Sequence, residues 1–166
     1  MASAPYYSVG VYIRQTAASA AGTMIFAMRN DPNSTANVYI DSINFVLSFD
    51  SGTPLGRSTQ VYNIIRFFSA TPTGGSTPTV ANLLTGQAVT NVTDVRFLDT
   101  GLTTTGVTTG APFTKLAIPA SDGATNSYER QDIPFVLVPG EGLCITLATA
   151  AVVGQSIAGE ITWTER

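Results

Sequence analysis

Apolar residues recur at every second position along much of this chain, whereas the three-to-four spacing of an amphipathic helix is hard to find. Val9, Val11 and Ile13 alternate with Ser8, Gly10 and Tyr12, and Met24, Phe26 and Met28 alternate with Ile25, Ala27 and Arg29. Each set lines one face of an extended strand. In TANVYIDSINFVLSFD, Val38 and Ile40 share one parity while Ile43, Phe45, Leu47 and Phe49 share the other. A strand with that change would turn one apolar set to water, so a bulge or bend is predicted near Asp41-Ser42. Turn formers flank the segment, Asn30 to Ser34 before it and Asp50 to Pro54 after it.

The run VYNIIRFF, 61–68, is apolar on both parities and predicts a strand covered on both sides. SATPTGGSTPT, 69–79, is interrupted by proline and glycine too often to hold a strand, and Ala81 to Leu84 is expected to close that loop with one helical turn. Val92 to Leu98 resumes as a strand. A second loop, 99–112, is made largely of Thr and Gly, with Leu102 and Val107 as its possible anchors. Ser127 to Val138, Leu143 to Thr149 and Ile157 to Thr164 complete the strands; in the last, Ile157, Ile161 and Trp163 face inward. About eight strands with two long Thr/Gly-rich loops predict an all-β fold, an antiparallel β-sandwich of jelly-roll or Greek-key type. The expected organisation is an N-terminal arm, 1–7, and one sandwich domain, 8–166.

Composition narrows the functional classes. With 166 residues, 44% hydrophobic, the chain is long enough for one well-buried core. Charged residues are only 11% and the net charge is −3, so the surface is neutral and rich in hydroxyl groups. A single lysine, Lys115, leaves no basic stripe for a run of phosphates, and direct nucleic-acid binding is not expected. MASAPYYSVG lacks the charged start and apolar stretch of a signal peptide, and no apolar run is long enough to cross a bilayer. The expectation is a soluble protein made in a cytoplasm, with no membrane partner. Cys144, the only cysteine, sits in an apolar run and reads as a small buried hydrophobe. The sequons at Asn33 and Asn91 read as turn and strand chemistry.

The chain has no histidine, which removes the Ser-His-Asp and Cys-His machinery, and with one cysteine it offers no structural zinc site. Carboxylates remain. Asp94 with Asp99, or Glu129 with Asp132, could serve as a glycosidase pair only by proximity in sequence; a strand-face ion pair of Asp94 with Arg96, a turn at Asp99 and a solvated strand start at Glu129 and Asp132 are the simpler readings. Asp31, Asn33 and Asn37, or Asp50, lack the spacing of a calcium loop. No cofactor is expected. The PGEG of VLVPGEGLCITL lacks the third glycine of a dinucleotide loop and precedes a strand where a helix is required, so it reads as a corner with Glu141 at its solvated tip. Tyr6, Tyr7 and Tyr12, with Phe67 and Phe68 as surplus apolar positions, are the candidate interface residues.

The closing unit, 134–166, runs from an apolar strand through PGEGL to an alternating strand and a last strand ending ITWTER. It resembles the end of small β-sandwich proteins of tailed-phage virions, including capsid decoration (cement) proteins. That resemblance implies a homotrimer on the surface of the phage head, bound to the major capsid protein and stabilising the shell, with no catalytic or metal residues. The alternative from the binding class is a carbohydrate- or receptor-binding jelly roll of a virion. An enzyme working through carboxylates stands behind both.

Overall fold

The structure, a computed structural model, describes residues 4–15, 18–49, 59–68, 72–83, 90, 92–97, 102, 107–119, 123–129, 135–151 and 153–166, with the backbone alone of 93, 94 and 97. Among the described residues there are eleven strands: β1 (Tyr6–Arg14), β2 (Met24–Asn30), β3 (Val38–Phe49), β4 (Gln60–Phe67), β5 (Val80–Asn82), β6 (Val92–Phe97), β7 (Thr109–Ile118), β8 (Ala124–Glu129), β9 (Phe135–Leu137), β10 (Gly142–Leu147) and β11 (Gln155–Glu165). They form two antiparallel sheets packed as a sandwich. The first sheet runs β5-β1-β11-β3-β8, with β9 also paired to β3, and the second runs β6-β2-β10-β4-β7. Each step from β1 to β6 crosses between the sheets, and the first and last strands, β1 and β11, pair in the first sheet.

Several elements differ from the sequence reading. The residues expected to make a helical turn instead begin with β5, because Tyr7 to Val9 offer an open strand edge and pair with Val80 to Asn82. Tyr6 and Tyr7 stand opposite Thr164 and Trp163, so the sandwich begins before Ser8. β7 starts within the Thr/Gly-rich stretch, where Thr109 and Pro112 pair with Phe67 and Ile65. The single strand expected over 127–138 is two strands, β8 and β9, placed along the same edge of β3.

The change of parity in β3 is resolved by a bulge. Thr162 of β11 faces Ser42, but the next residue, Trp163, faces Ile40, which leaves Asp41 as the extra residue. The insertion turns Val38 and Ile40, then Ile43, Phe45 and Leu47, into one core, each at most 1% exposed. Across the sandwich, Phe45 meets Tyr62 edge-on at 6.0 Å, and Gln155 donates a hydrogen bond of 3.1 Å to the Tyr62 hydroxyl. The Trp163 ring stacks on Tyr7 at 5.8 Å, and its Nε1 donates to Glu165. Rings buried this fully contribute about 1.5–3 kcal/mol each, so this cluster is the main source of cohesion between the sheets.

A second, smaller apolar cluster lies on the other side of the second sheet. Ile64 belongs to the main core, but Ile65, one residue on and so on the opposite face, packs with Met24, Ala27, Phe67 and Cys144 under Leu102 and Val107. The strand 61–68 is thus covered on both sides, and the two loop residues expected to be anchors are the ones that cover it. Gly142 lies opposite Phe67, and a Cβ at that glycine would overlap the phenylalanine ring. Gly159 stands opposite Phe45 in the first sheet in the same way. In both pairs the ring fills the space that the glycine leaves.

Candidate functional site

The PGEG segment is a corner. The Glu141 N–H donates to the Val138 carbonyl at 3.0 Å, Pro139 occupies the second position and Gly140 the third with φ of 86°, which is the geometry of a type II turn. Glu141 is not a solvated tip. Its carboxylate folds back to accept from the Val138 N–H at 3.2 Å and lies 3.4 Å from the Arg66 guanidinium. Arg66 also donates to the Val136 carbonyl at 2.6 Å and sits over the Phe135 ring at 5.2 Å. Arg29 and Asn30 hold the corner from β2, through Arg29 Nε to the Gly140 carbonyl and through backbone bonds of Asn30 with Gly140 and Glu141. These groups fix the chain's own corner, although the buried Asn30 Oδ1 and Arg66 Nε have no hydrogen-bond partner among the described residues.

Beside it, the side of the sandwich is closed by Phe113. Ile64 pairs with Thr114 and Ile65 with Pro112, so Phe113 is the extra residue of a bulge in the edge strand β7. Its ring crosses to the other sheet and meets Phe135 at 4.7 Å and Tyr128 at 5.9 Å, while remaining 42% exposed. Sequence reasoning missed Phe113; the signal available was Pro112, which interrupts a strand ladder and favours a bulge.

The broadest feature is the outer face of the first sheet. Strand register places its side chains in rows across β1, β11, β3 and β8: Ser8, Thr162, Ser42 and Glu129; Gly10, Glu160, Asn44 and Ser127; Tyr12, Ala158, Val46 and Thr125; then Arg14, Ser156 and Ser48. Small and hydroxyl side chains dominate; Ser8, Ser42, Thr162 and Ser156 are buried, the Ser42 and Thr162 hydroxyls sharing a hydrogen bond of 2.8 Å, and the exposed part of the face is chiefly the rows of Gly10 and Tyr12. Tyr12 is 58% exposed, and Val46 in the same row is 39% exposed. A shallow groove of about 460 Å³ runs between β3 and β8, lined by Asn44, Phe45, Val46, Thr125, Asn126 and Ser127.

The five candidate interface residues do not come together. Tyr12 and Phe68 are exposed, and Tyr6 is half-buried at the start of β1. Tyr7 and Phe67 are buried completely and are corrected from interface to interior: Tyr7 stacks on Trp163, and Phe67 fills the space over Gly142. Burial, with a smaller contribution from the Glu165 carboxylate, raises the Tyr7 hydroxyl above its ordinary pKa.

Among the proposed carboxylates, Glu129 is exposed on β8. Asp50, Asp99, Asp132 and the side chain of Asp94 lie outside the described residues. Asp31 accepts from the Asn33 N–H at 2.8 Å, and the Asn37 backbone pairs with Arg166. No group of three or more potential metal-ligating side chains of His, Cys, Asp or Glu type occurs among the described residues. Comparison with protein-family models, curated proteins and solved structures finds no match for this chain.

Proposed function

We propose that the chain is a virion structural protein that binds the outside of a tailed-phage head as a homotrimer and stabilises the shell through its contacts with the major capsid protein. The reading combines the resemblance of the PGEGL corner and last strands to small virion β-sandwiches with the character of the outer face of the first sheet. That face is the observation that carries most weight. Apart from Arg14, Glu129 and Glu160 it is built mostly of small, uncharged side chains, which lets another protein surface approach closely. The strand order, with β1, β11, β3 and β8/β9 in one sheet, β2, β10, β4 and β7 in the other and β5 and β6 at the edges, supports a jelly-roll reading of the sandwich.

The test is reconstitution. Purified protein added to heads that lack it should bind to saturation and raise their resistance to heat. Heads that neither bind the protein nor gain resistance would remove the proposal.

A carbohydrate-binding reading draws on the groove beside β8, where the Asn44 amide and the Thr125 and Ser127 hydroxyls share one face, the Asn126 amide being turned to the other sheet and donating to the Ala117 carbonyl at 2.8 Å. Glycan titration followed by NMR would move the signals of Asn44, Thr125 and Ser127 if the groove holds a sugar.

A further inference from the structure

Among the described residues four glycines lie within strands at positions where neither a turn nor a positive φ requires glycine: Gly10 in β1, Gly110 in β7, where a Cβ would meet the Phe68 ring at 3.4 Å, Gly142 in β10 and Gly159 in β11. Glycine inside a strand costs about 0.5–1 kcal/mol relative to alanine. At Gly142 and Gly159 the structure shows the compensation, a phenylalanine ring of the facing strand laid over the bare backbone. Gly10 has none. It is exposed at the β1 end of its row, just past the last residue that pairs with β5, and a Cβ built on it meets no atom within 4 Å. Close approach of another group is one of the settings that favour a glycine inside a strand.

We propose that Gly10 and Tyr12 form a self-association site, in which Tyr12 of one copy lies over Gly10 of a second copy of this chain. Tyr12 is on the same face of the same strand, about 7 Å away, and is the most exposed of the large hydrophobic side chains among the described residues. The knob and the hole are therefore neighbours on one surface, and Ala158 and Val46 continue the apolar row beside them. Such a patch matches itself reciprocally about a two-fold axis or cyclically about a threefold. The inference rests on the proposed homotrimer only for the choice of three copies. The face carries both signs of charge, at Arg14 and Glu160, so two copies do not confront a single sign.

Size supports a modest contact. Four strands about 4.8 Å apart and the two exposed rows of Gly10 and Tyr12, about 6.6 Å apart, span roughly 250 Å² in projection, about a third of the roughly 800 Å² that each partner contributes to a standard interface. An interface this small depends on its central ring, and removing that ring should be visible.

Sedimentation velocity and light scattering on wild type, Gly10→Val and Tyr12→Ser, at concentrations up to roughly 100 µM, test the site. Wild type should associate. Both variants should associate at least about tenfold more weakly, while Gly10→Val unfolds no more easily than wild type, because valine suits a strand and finds free space there. A single-chain mass for wild type at the highest concentration, or wild-type association in folded Gly10→Val, would overturn the inference. Head binding measured in parallel keeps the two readings apart: a protein that associates through these residues yet ignores heads supports the site and defeats the virion proposal, and a monomer that binds heads does the reverse.

Discussion

The outer faces of the two sheets have been finished in opposite ways. On the second sheet, β10 is buried at all six of its positions, because the chain's own Leu102 and Val107 close over Met24, Ala27, Ile65, Phe67 and Cys144. On the first, β1 from Val9 onward alternates buried and exposed, and none of the described residues covers Gly10 or most of Tyr12. One face is an internal surface of the monomer. The other is open along the rows of Gly10 and Tyr12, though Ser8, Ser42, Thr162 and Ser156 on the same face are buried, and its bare glycine leaves room for a partner.

The comparison can be broken most forcefully at Phe67. Its removal empties the second cluster and uncovers Gly142, so Phe67→Ala should lower the unfolding free energy by about 3–5 kcal/mol in urea titration. A loss below 1 kcal/mol would mean that the covered face is not a true core. Gly159→Ala should cost about 3 kcal/mol by the same measurement, because the added methyl would overlap the Asn44 backbone as well as the Phe45 ring. Gly10→Ala should cost nothing.

The covering loop is a smaller lever. Leu102→Ser with Val107→Ser should cost about 1–2 kcal/mol and make Cys144 react faster with a thiol reagent, since both anchors are only half-buried. Burial pushes the Cys144 thiol up to about 12 from an ordinary 9.0. The folded chain therefore holds this proton where the unfolded chain releases it: stability is unaffected below pH 9 and falls as pH rises from 9 toward 12. Burial also raises the Tyr62 hydroxyl, against the opposing hydrogen bond from Gln155, and adds to the loss above pH 10. Cys144→Ala should flatten the part of this decline that begins near pH 9. Least affected is Tyr12→Ser, expected to change monomer stability by less than about 0.5 kcal/mol while weakening association.

Much of the covered face and little of the open one was legible in the sequence. IIRFF and LCITL carry apolar residues on both parities, and only a strand buried on both sides tolerates that, so the second cluster and its two anchors could be anticipated. The Asp41 bulge was equally legible, because the parity change left no regular strand that kept both apolar sets inside. Tyr7 and Phe67 were misplaced for a common reason. Each is one of two adjacent aromatics, Tyr6-Tyr7 and Phe67-Phe68, and a strand sends neighbours to opposite faces, but pattern alone does not say which member faces inward. The partners that decide it, Trp163 and Gly142, lie far along the chain. β5 escaped notice because three residues hold no periodicity; their strand form comes from the open edge of β1. The meaning of Gly10 was also hidden, since a glycine in an alternating strand looks the same whether or not a ring lies over it.

Hydroxyl-radical footprinting of Tyr12, on dilute free protein and on protein bound to heads, tests most directly the claim that the open face is where this protein makes its contacts. The account predicts that Tyr12 is oxidised readily when free and is protected when bound, with Met24 unreactive in both states beneath the covering loop. Equal oxidation of Tyr12 in the two states, with protection appearing instead at Phe68 or Phe113, would contradict it.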